Sequence, residues 1–518
     1  MYGFAEAGLL TPHYTVKRLW WTAERIDDTV NRRFVVGHIR GHERQFLDRK
    51  IIYHTLTNDT YLDWILFKAP RLFLTLVEIR CAERIFSLVD DGWDDSDLPV
   101  PWKDIERLDL NIDPDHILNR RFYEAQYTYL LRQLEEDYHV EYGPNEYIPM
   151  EYVGTIPPAV DIKDWHRIHF PDEWRSQFVR RQFNFGDNED ERRVAEIEYL
   201  EDVKVMKKHQ HYHLCDVWAS YTNENSGFTL STYIGEHTLK TFMDHRTPPQ
   251  YMELNPDDRP CLLLEWMHCL ADVVAYLHKC DTYHGAIRPS NILVDSVNCV
   301  AFSDIGHLKT FKKDKRVSKQ ELRDYTAPEL LQESSPKTSI YNPFAQHETN
   351  STWKIPPPAL RHPPSTHHPS ADVFSLGCIY LDILTFLVLG KTTTLQKFRR
   401  SKSTTIPSHT SYTPSLIRSG ASTPVTQSSP GVFSSASSTH FHSDPVKLHA
   451  WTSHLLSISS QQVTPLHSSL VELLPLVKQM LAPNPSLRPS MQEVRGVVEE
   501  TLSRQGETRR LCCRGRRW

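Results

Sequence analysis

The 518-residue sequence predicts an α+β fold. Three observations carry that reading: helix-periodic segments over residues 1–145, short strand-like runs around one helix over 146–250, and apolar helical segments recurring from 251 to 505. Charge divides unevenly along this order. The formal net charge is −6, yet residues 391–518 hold 16 basic and 6 acidic side chains, so residues 1–390 carry −16. An acidic body excludes a nucleic-acid-binding core, which needs a basic face toward phosphate.

The first strong element follows Pro70. Apolar residues at Leu72, Phe73, Leu76, Val77, Cys81, Ile85, Phe86 and Val89 recur near a 3.6-residue period, which predicts one helix from Arg71 to Asp90 with a buried face. A second helix is predicted over Ile117–Tyr138. The acidic run Asp90–Asp97 between them lacks the glycine and glutamate placement of a calcium loop, and reads as a solvated acidic loop. A third helix is expected over Glu191–Lys208. His209, His211, His213 and Cys215 then alternate, which on a strand would set them on one face in a zinc-like array. Residues 332–370 are proline-rich, and 391–465 are rich in Ser and Thr, including 20 of the 40 residues from 401 to 440. Both stretches are expected to be disordered inserts. Within the second, Thr413, Thr423 and Ser429 each precede proline. Residues 506–518 form a basic tail whose Cys512-Cys513 pair offers a weak membrane contact through palmitoylation; a frayed terminus is the plainer reading.

Other classes are thinned by composition. Only 19 glycines occur, a poor supply for glycine-rich phosphate loops. The nine cysteines form no CxxC pair, and no basic-then-apolar leader follows Met1, so an intracellular site, cytoplasmic or nuclear, is expected. The most apolar run, Phe374–Gly390, contains Asp382 and is read as a core helix too short to span a bilayer, so no transmembrane segment is expected.

Five phrases occur in a fixed order: His284-GAIRPSNILV, Phe302-SDIG, Tyr325-TAPELL, Ala371-DVFSLGCIYLDILT and Leu476-VKQMLAPNPSLRP. Through them the chain resembles the eukaryotic protein kinase-like superfamily. They correspond to its HRDLxxxxN catalytic loop, its DFG turn, the APE end of its activation segment and two scaffold helices. The resemblance implies a bilobal fold over residues 146–505. A small, mostly β N-lobe (146–250) would precede a larger helical C-lobe (251–505), with residues 1–145 as a helical extension. That extension is similar to the region preceding the kinase domain in fungal-type kinase-like proteins. The resemblance also implies that Asn291 and Asp304 are the metal ligands, that Glu329 pairs with Arg488, and that Asp372 holds the catalytic-loop backbone.

Departures from the family cluster at its chemistry. The catalytic Asp position is Ala286, which can neither orient an acceptor hydroxyl nor take its proton. The preceding Arg is Gly285, the γ-phosphate lysine is Arg288, and the DFG aromatic is Ile305. Of the glycine-rich loop only Gly154 remains, followed by Pro157 and Pro158, which lack N–H donors. The lysine of the third strand falls on Arg181. Glu196 is the expected ion-pairing acid of the next helix, with Leu200 one turn later in the core. The nucleotide-contacting set is thus Gly154, Arg181, Glu196, Asn291 and Asp304, with His284 and Arg288 as catalytic-loop neighbours. ATP and magnesium would be weakly held or lost. On this comparison the histidine run is ordinary kinase sequence after that helix.

Lost catalytic parts beside retained scaffold parts describe a pseudokinase acting on a protein partner. The alternatives are a Ser/Thr protein kinase with residual activity and a small-molecule phosphotransferase. The HGxxxxxN phrase also occurs in the latter, but the APE phrase and the DVFSLGC helix argue against it.

Overall fold

The computed structural model describes residues 19–51, 59–110, 117–155, 165–171, 173–244, 248–314, 318–333, 368–401, 440–461 and 464–504. Pro157, Pro158, Thr413, Thr423, Ser429 and the 506–518 tail lie outside the described residues. Contacts divide the chain into two compact units. One comprises Met1–Thr155, His166–Arg193 and Trp218–Leu230; the other comprises Ile156–Trp165, Val194–Val217 and Ser231–Trp518. The helical extension and the small β-sheet therefore belong to one unit.

The first unit opens with capped helices. Thr22 caps Ala23–Thr29, Asn31 caps Arg32–His38, and Thr60 with Asp63 makes a reciprocal capping box for Tyr61–Phe67. The predicted helix Arg71–Asp90 is broken. It runs Pro70–Glu78, then resumes as Ile85–Asp90 after a short 3-10 turn. The cause is a Schellman stop: Arg80 takes φ 65°, Cys81 N–H donates to Leu76 O at 2.9 Å, and Arg80 N–H donates to Val77 O at 3.1 Å. The apolar face survives the break, with Leu72, Phe73, Leu76 and Ile85 all buried in one core with Phe122. The acidic loop is tied down rather than solvated. Asp95 accepts from the N–H groups of Arg71 and Leu72 at 3.0 and 2.9 Å, capping a helix whose first residue is proline. Tyr61 donates to Asp90, and Asp94 with Asp97 form a second capping box.

The predicted helix Ile117–Tyr138 ends at Ala125. Beyond it Gln126 is fully buried, accepting from Val100 N–H at 2.7 Å and donating to Val100 O at 3.1 Å, an arrangement that recruits the chain into a 3-10 turn. Residues 139–142, which follow the predicted helix within the helical extension, form a strand.

That strand completes a six-stranded sheet. The strands are β1 (His139–Tyr142), β2 (Glu151–Thr155), β3 (Trp165–His169), β4 (Gln177–Asn184), β5 (Ala219–Asn223) and β6 (Ser226–Ser231), in the order β1-β5-β6-β4-β3-β2. β1 runs parallel to β5, whereas β2/β3 and β5/β6 are antiparallel. Tyr221 and Phe228 sit opposite each other across β5/β6 with rings stacked at 4.5 Å, and the Arg180 guanidinium lies 4.2 Å from the Phe228 ring. Trp20 donates to Glu151 at 3.1 Å, fastening the chain before the first helix to β2.

The second unit is helical around a small three-stranded sheet, β7 (His237–Thr238), β8 (Ile292–Val294) and β9 (Val300–Phe302). Its spine is two buried helices, Asp258–Lys279 and His368–Leu389, packed with Pro465–Met480 and Met491–Arg504. The apolar run read as too short to span a bilayer belongs to a helix of 22 residues, so length does not exclude it; 83% of its apolar window, and 72% of that in Asp258–Lys279, is buried inside the fold.

The stretch 391–465 is not uniformly disordered. Helices occupy Thr393–Arg400 and Pro445–Ser460, because Leu395, Phe398, Leu448, Trp451 and Leu455 are apolar and buried. Phe398 stacks on Trp451 at 5.3 Å, and Lys447 donates to the carbonyls of Arg399 and Ser401 at 3.1 and 2.6 Å. Residues 402–439 between them, and 334–367 of the proline-rich stretch, lie outside the described residues. The ends of that proline-rich stretch are helical, in Pro328–Glu333 and His368–Leu389.

Candidate functional site

All five sequence phrases fall in the second unit, and the β8/β9 hairpin brings two of them together. Ile292 pairs with Phe302 and Val294 with Val300. That register lets Ser303 N–H donate to Asn291 O at 2.9 Å, so Asn291 lies one residue from Asp304 across the hairpin. Both side chains are fully buried. Asn291 Nδ2 also donates to Ala286 O at 2.9 Å, which stiffens the loop between them.

Asp372, near the start of helix His368–Leu389, holds the loop from the other side. Its carboxylate accepts from His284 N–H at 2.7 Å and Gly285 N–H at 2.8 Å, with His278 Nε2 at 3.1 Å. Burial alone would raise this carboxyl's pKa. The hydrogen bond and charge of His278, the nearby His284 and the Gly285 N–H outweigh it, and the pKa lies below the ordinary value. Gly285 has φ +73°, and a Cβ there would lie 2.8 Å from the His307 Cβ, so this backbone tolerates glycine where the family has arginine. His284 is fully buried; its Nδ1 accepts from Ala286 N–H at 3.2 Å and its ring lies 4.3 Å from that of Phe302.

The turn Asp304-Ile-Gly closes on this loop. His307 N–H donates to His284 O at 2.9 Å and its Nδ1 donates to Tyr283 O at 2.7 Å; burial lowers the His307 pKa against these two bonds. Gly306 packs directly on the Ala286 methyl. Ile305 is buried, and its N–H faces the Met206 sulfur at 3.4 Å. Arg288 is buried with its Nε on Ser290 Oγ at 3.2 Å. Burial lowers the Arg288 pKa, while the charges of Asp304 and Glu321 act against that shift, so this cation is balanced between two carboxylates.

The Glu329–Arg488 pair expected from the sequence is present and bidentate, at 2.6 and 2.9 Å, and Arg488 also donates to Ala482, Ser370 and Pro483 carbonyls. It anchors the end of the activation segment to the turn before helix Met491–Arg504.

Gly154 and Arg181 lie in the first unit. Gly154 sits on β2 where the register with β3 shifts, and Arg181 is buried on β4 with its guanidinium 4.7 Å from the Phe183 ring. Glu196 is half-buried on helix Glu189–Lys208. Three later residues of that helix meet the motif segment. Glu198 pairs with Lys309 at 2.7 Å, Asp202 accepts from Thr310 N–H at 2.8 Å, and the Met206 sulfur faces the Ile305 N–H at 3.4 Å.

Sequence reasoning also missed Lys240 and Glu321. Helix Lys319–Asp324 carries Glu321, whose Oε1 accepts from Ser290 N–H at 3.2 Å and whose Oε2 pairs with Lys240 at 2.9 Å. The histidine run is structural. His211 pairs with Asp272 at 3.2 Å, His213 Nδ1 bonds Val300 O at 2.6 Å, and among the described residues no group of three or more His, Cys, Asp or Glu is placed to hold a metal ion.

The pseudokinase domain of BIR2, an immune regulator of the RLK/Pelle family, is similar in structure, with a TM-score of 0.37 and 14% identity, over 66% of this chain and 80% of that one. Residues 181–345 match the family model of the protein kinase domain. That stretch contains the catalytic-loop, DFG-like and APE phrases whose geometry is described above. Residues 181–345 are accordingly a protein-kinase-like region of this chain.

Proposed function

We propose that this protein is a pseudokinase, a protein-binding or allosteric module rather than a phosphotransferase. One observation carries the reading. The catalytic loop keeps its supports, Asp372 beneath the His284 and Gly285 amides and Asn291 on the Ala286 carbonyl, yet position 286 presents only a methyl, with Gly306 packed on it. A scaffold held in catalytic shape without a general base is suited to presenting surfaces. Cysteines that are free and buried, Cys215, Cys269 and Cys378, favour an intracellular setting.

A second reading, retained binding of magnesium and ATP, is favoured by Asn291 and Asp304. Magnesium takes oxygen ligands, and the Asp304 carboxylate with the Asn291 amide oxygen is a donor set of the right type. In that reading Asn291 and Asp304 would hold an ion that supplies positive charge toward nucleotide phosphates, and Arg288 would lend charge beside Asp304.

Phosphoryl transfer from γ-labelled ATP to the chain itself or to a generic acceptor protein separates the readings. The expected result is no incorporation above that of Asp304→Asn. Incorporation that disappears in Asp304→Asn overturns the pseudokinase assignment. A magnesium-dependent rise in melting temperature with ATP, absent in Asp304→Asn, would establish the second reading without overturning the first; ligand at 100 times its Kd adds about 2.7 kcal/mol.

A further inference from the structure

Helix Lys319–Asp324 is folded inside out. Glu321 is 8% exposed while its neighbour Leu322 is 44% exposed. Burying a carboxylate and leaving a leucine in water runs against solvation on both counts, so specific partners must hold the helix this way round. Three are present. Ser290 N–H, inside the catalytic loop, donates to Oε1 at 3.2 Å; Lys240 Nζ pairs with Oε2 at 2.9 Å; and the Arg288 charge acts on the same carboxylate. Ser318 caps the helix by accepting from Glu321 N–H at 3.1 Å, which fixes where the side chain starts. Lys240 lies on helix Leu239–Asp244 directly after strand β7, and Ser290 lies on the 3-10 turn Pro289–Asn291 directly before β8; β7 pairs antiparallel with β8, so cation and donor flank the same end of that strand pair.

We propose that Lys240 and the Ser290 N–H form an oxyanion-binding site that Glu321 fills in cis, making a latch that closes residues 318–324 of the activation segment onto the catalytic loop. The inference rests on the kinase-like assignment of these segments and not on whether nucleotide binds. A carboxylate is the internal ligand. Opening the latch leaves a lysine, an arginine and a backbone amide that an external carboxylate or phosphate would satisfy. The protein that opens it therefore brings an acidic group of its own.

Amide hydrogen exchange on the full chain tests the latch. In Glu321→Ala, the Ser290 amide and residues 318–324 should exchange at least tenfold faster. Lys240→Met, which alters only the half-exposed partner, should give a smaller acceleration over the same residues. Helix His368–Leu389 should be unchanged in both. Unchanged exchange at Ser290 and 318–324 overturns the latch, and so does an equal acceleration in His368–Leu389, which would mean general loosening. For the site itself, inorganic phosphate should raise the melting temperature of Glu321→Ala saturably, and do so neither in the parent protein nor in Glu321→Ala/Lys240→Met. A phosphate response identical in all three overturns the oxyanion site, leaving an adventitious ion only. Failure of ATP to bind would leave every one of these outcomes readable.

Discussion

Gly306 stands so close to Ala286 that a Cβ built on the glycine would lie 2.3 Å from the alanine methyl. Non-bonded carbons do not approach so closely, so the DFG-like turn and the catalytic loop leave no room for a side chain at Gly306, beside the position where the family carries its base. Gly306→Ala should force one of the two segments to move. Overpacking of this kind costs about 1–3 kcal/mol. The loss should appear in thermal unfolding and be accompanied by faster amide exchange at residues 303–307. A variant as stable as the parent would show that the turn relaxes freely and that the contact is not a constraint.

Arg488 makes two charge-assisted bonds to Glu329 and three more to backbone carbonyls. A lysine keeps the charge but cannot reproduce the fork, so Arg488→Lys should destabilise by about 2–4 kcal/mol. Arg488→Ala should be worse, about 3–5 kcal/mol, because it strands the Glu329 carboxylate. The informative experiment is the cycle with Glu329→Ala. If the pair is the chief contribution, the double variant loses less than the sum of the singles. Simple additivity would show instead that Arg488 acts through the carbonyls and the Phe374 ring that it covers at 5.0 Å.

Most of the second unit was legible because its chemistry is local. Asp372 and Arg488 each occur inside a short phrase whose partners are implied by the same phrase order, and both were found doing what that order implied. What failed was decided by contacts remote in sequence. Nothing near Arg80 announces a left-handed residue that ends a helix, because glycine is the usual signal and is missing. Asp95 reads as a solvated acid until the helix it caps, more than twenty residues earlier, is placed beside it. Phe398 and Trp451 are separated by a Ser/Thr-rich stretch that dilutes the apolar pattern, so the helices bearing them were lost in a composition average. No sequence motif singles out Glu321; only the fold reveals that it points inward.

Asp382 supplies a pH signature. It is buried in helix His368–Leu389 and accepts from Tyr325 OH at 2.7 Å. Burial pushes its pKa up to about 7, against the opposing influence of Arg399 and of the Tyr325 bond. The unfolded chain releases this proton near the ordinary carboxylate value, around pH 4. Between the two values the native state holds more protons than the unfolded state, so stability must fall as pH rises through that window and level off above it. The shift is worth about 4 kcal/mol in total if the unfolded chain behaves ordinarily. Asparagine at this position accepts the same tyrosine bond without titrating. The parent protein minus Asp382→Asn should therefore lose stability progressively from about pH 4 to about pH 7, as followed by urea unfolding at steps of one pH unit. A difference that is flat over this window would mean that Asp382 is ionised in the fold, its charge met by Arg399.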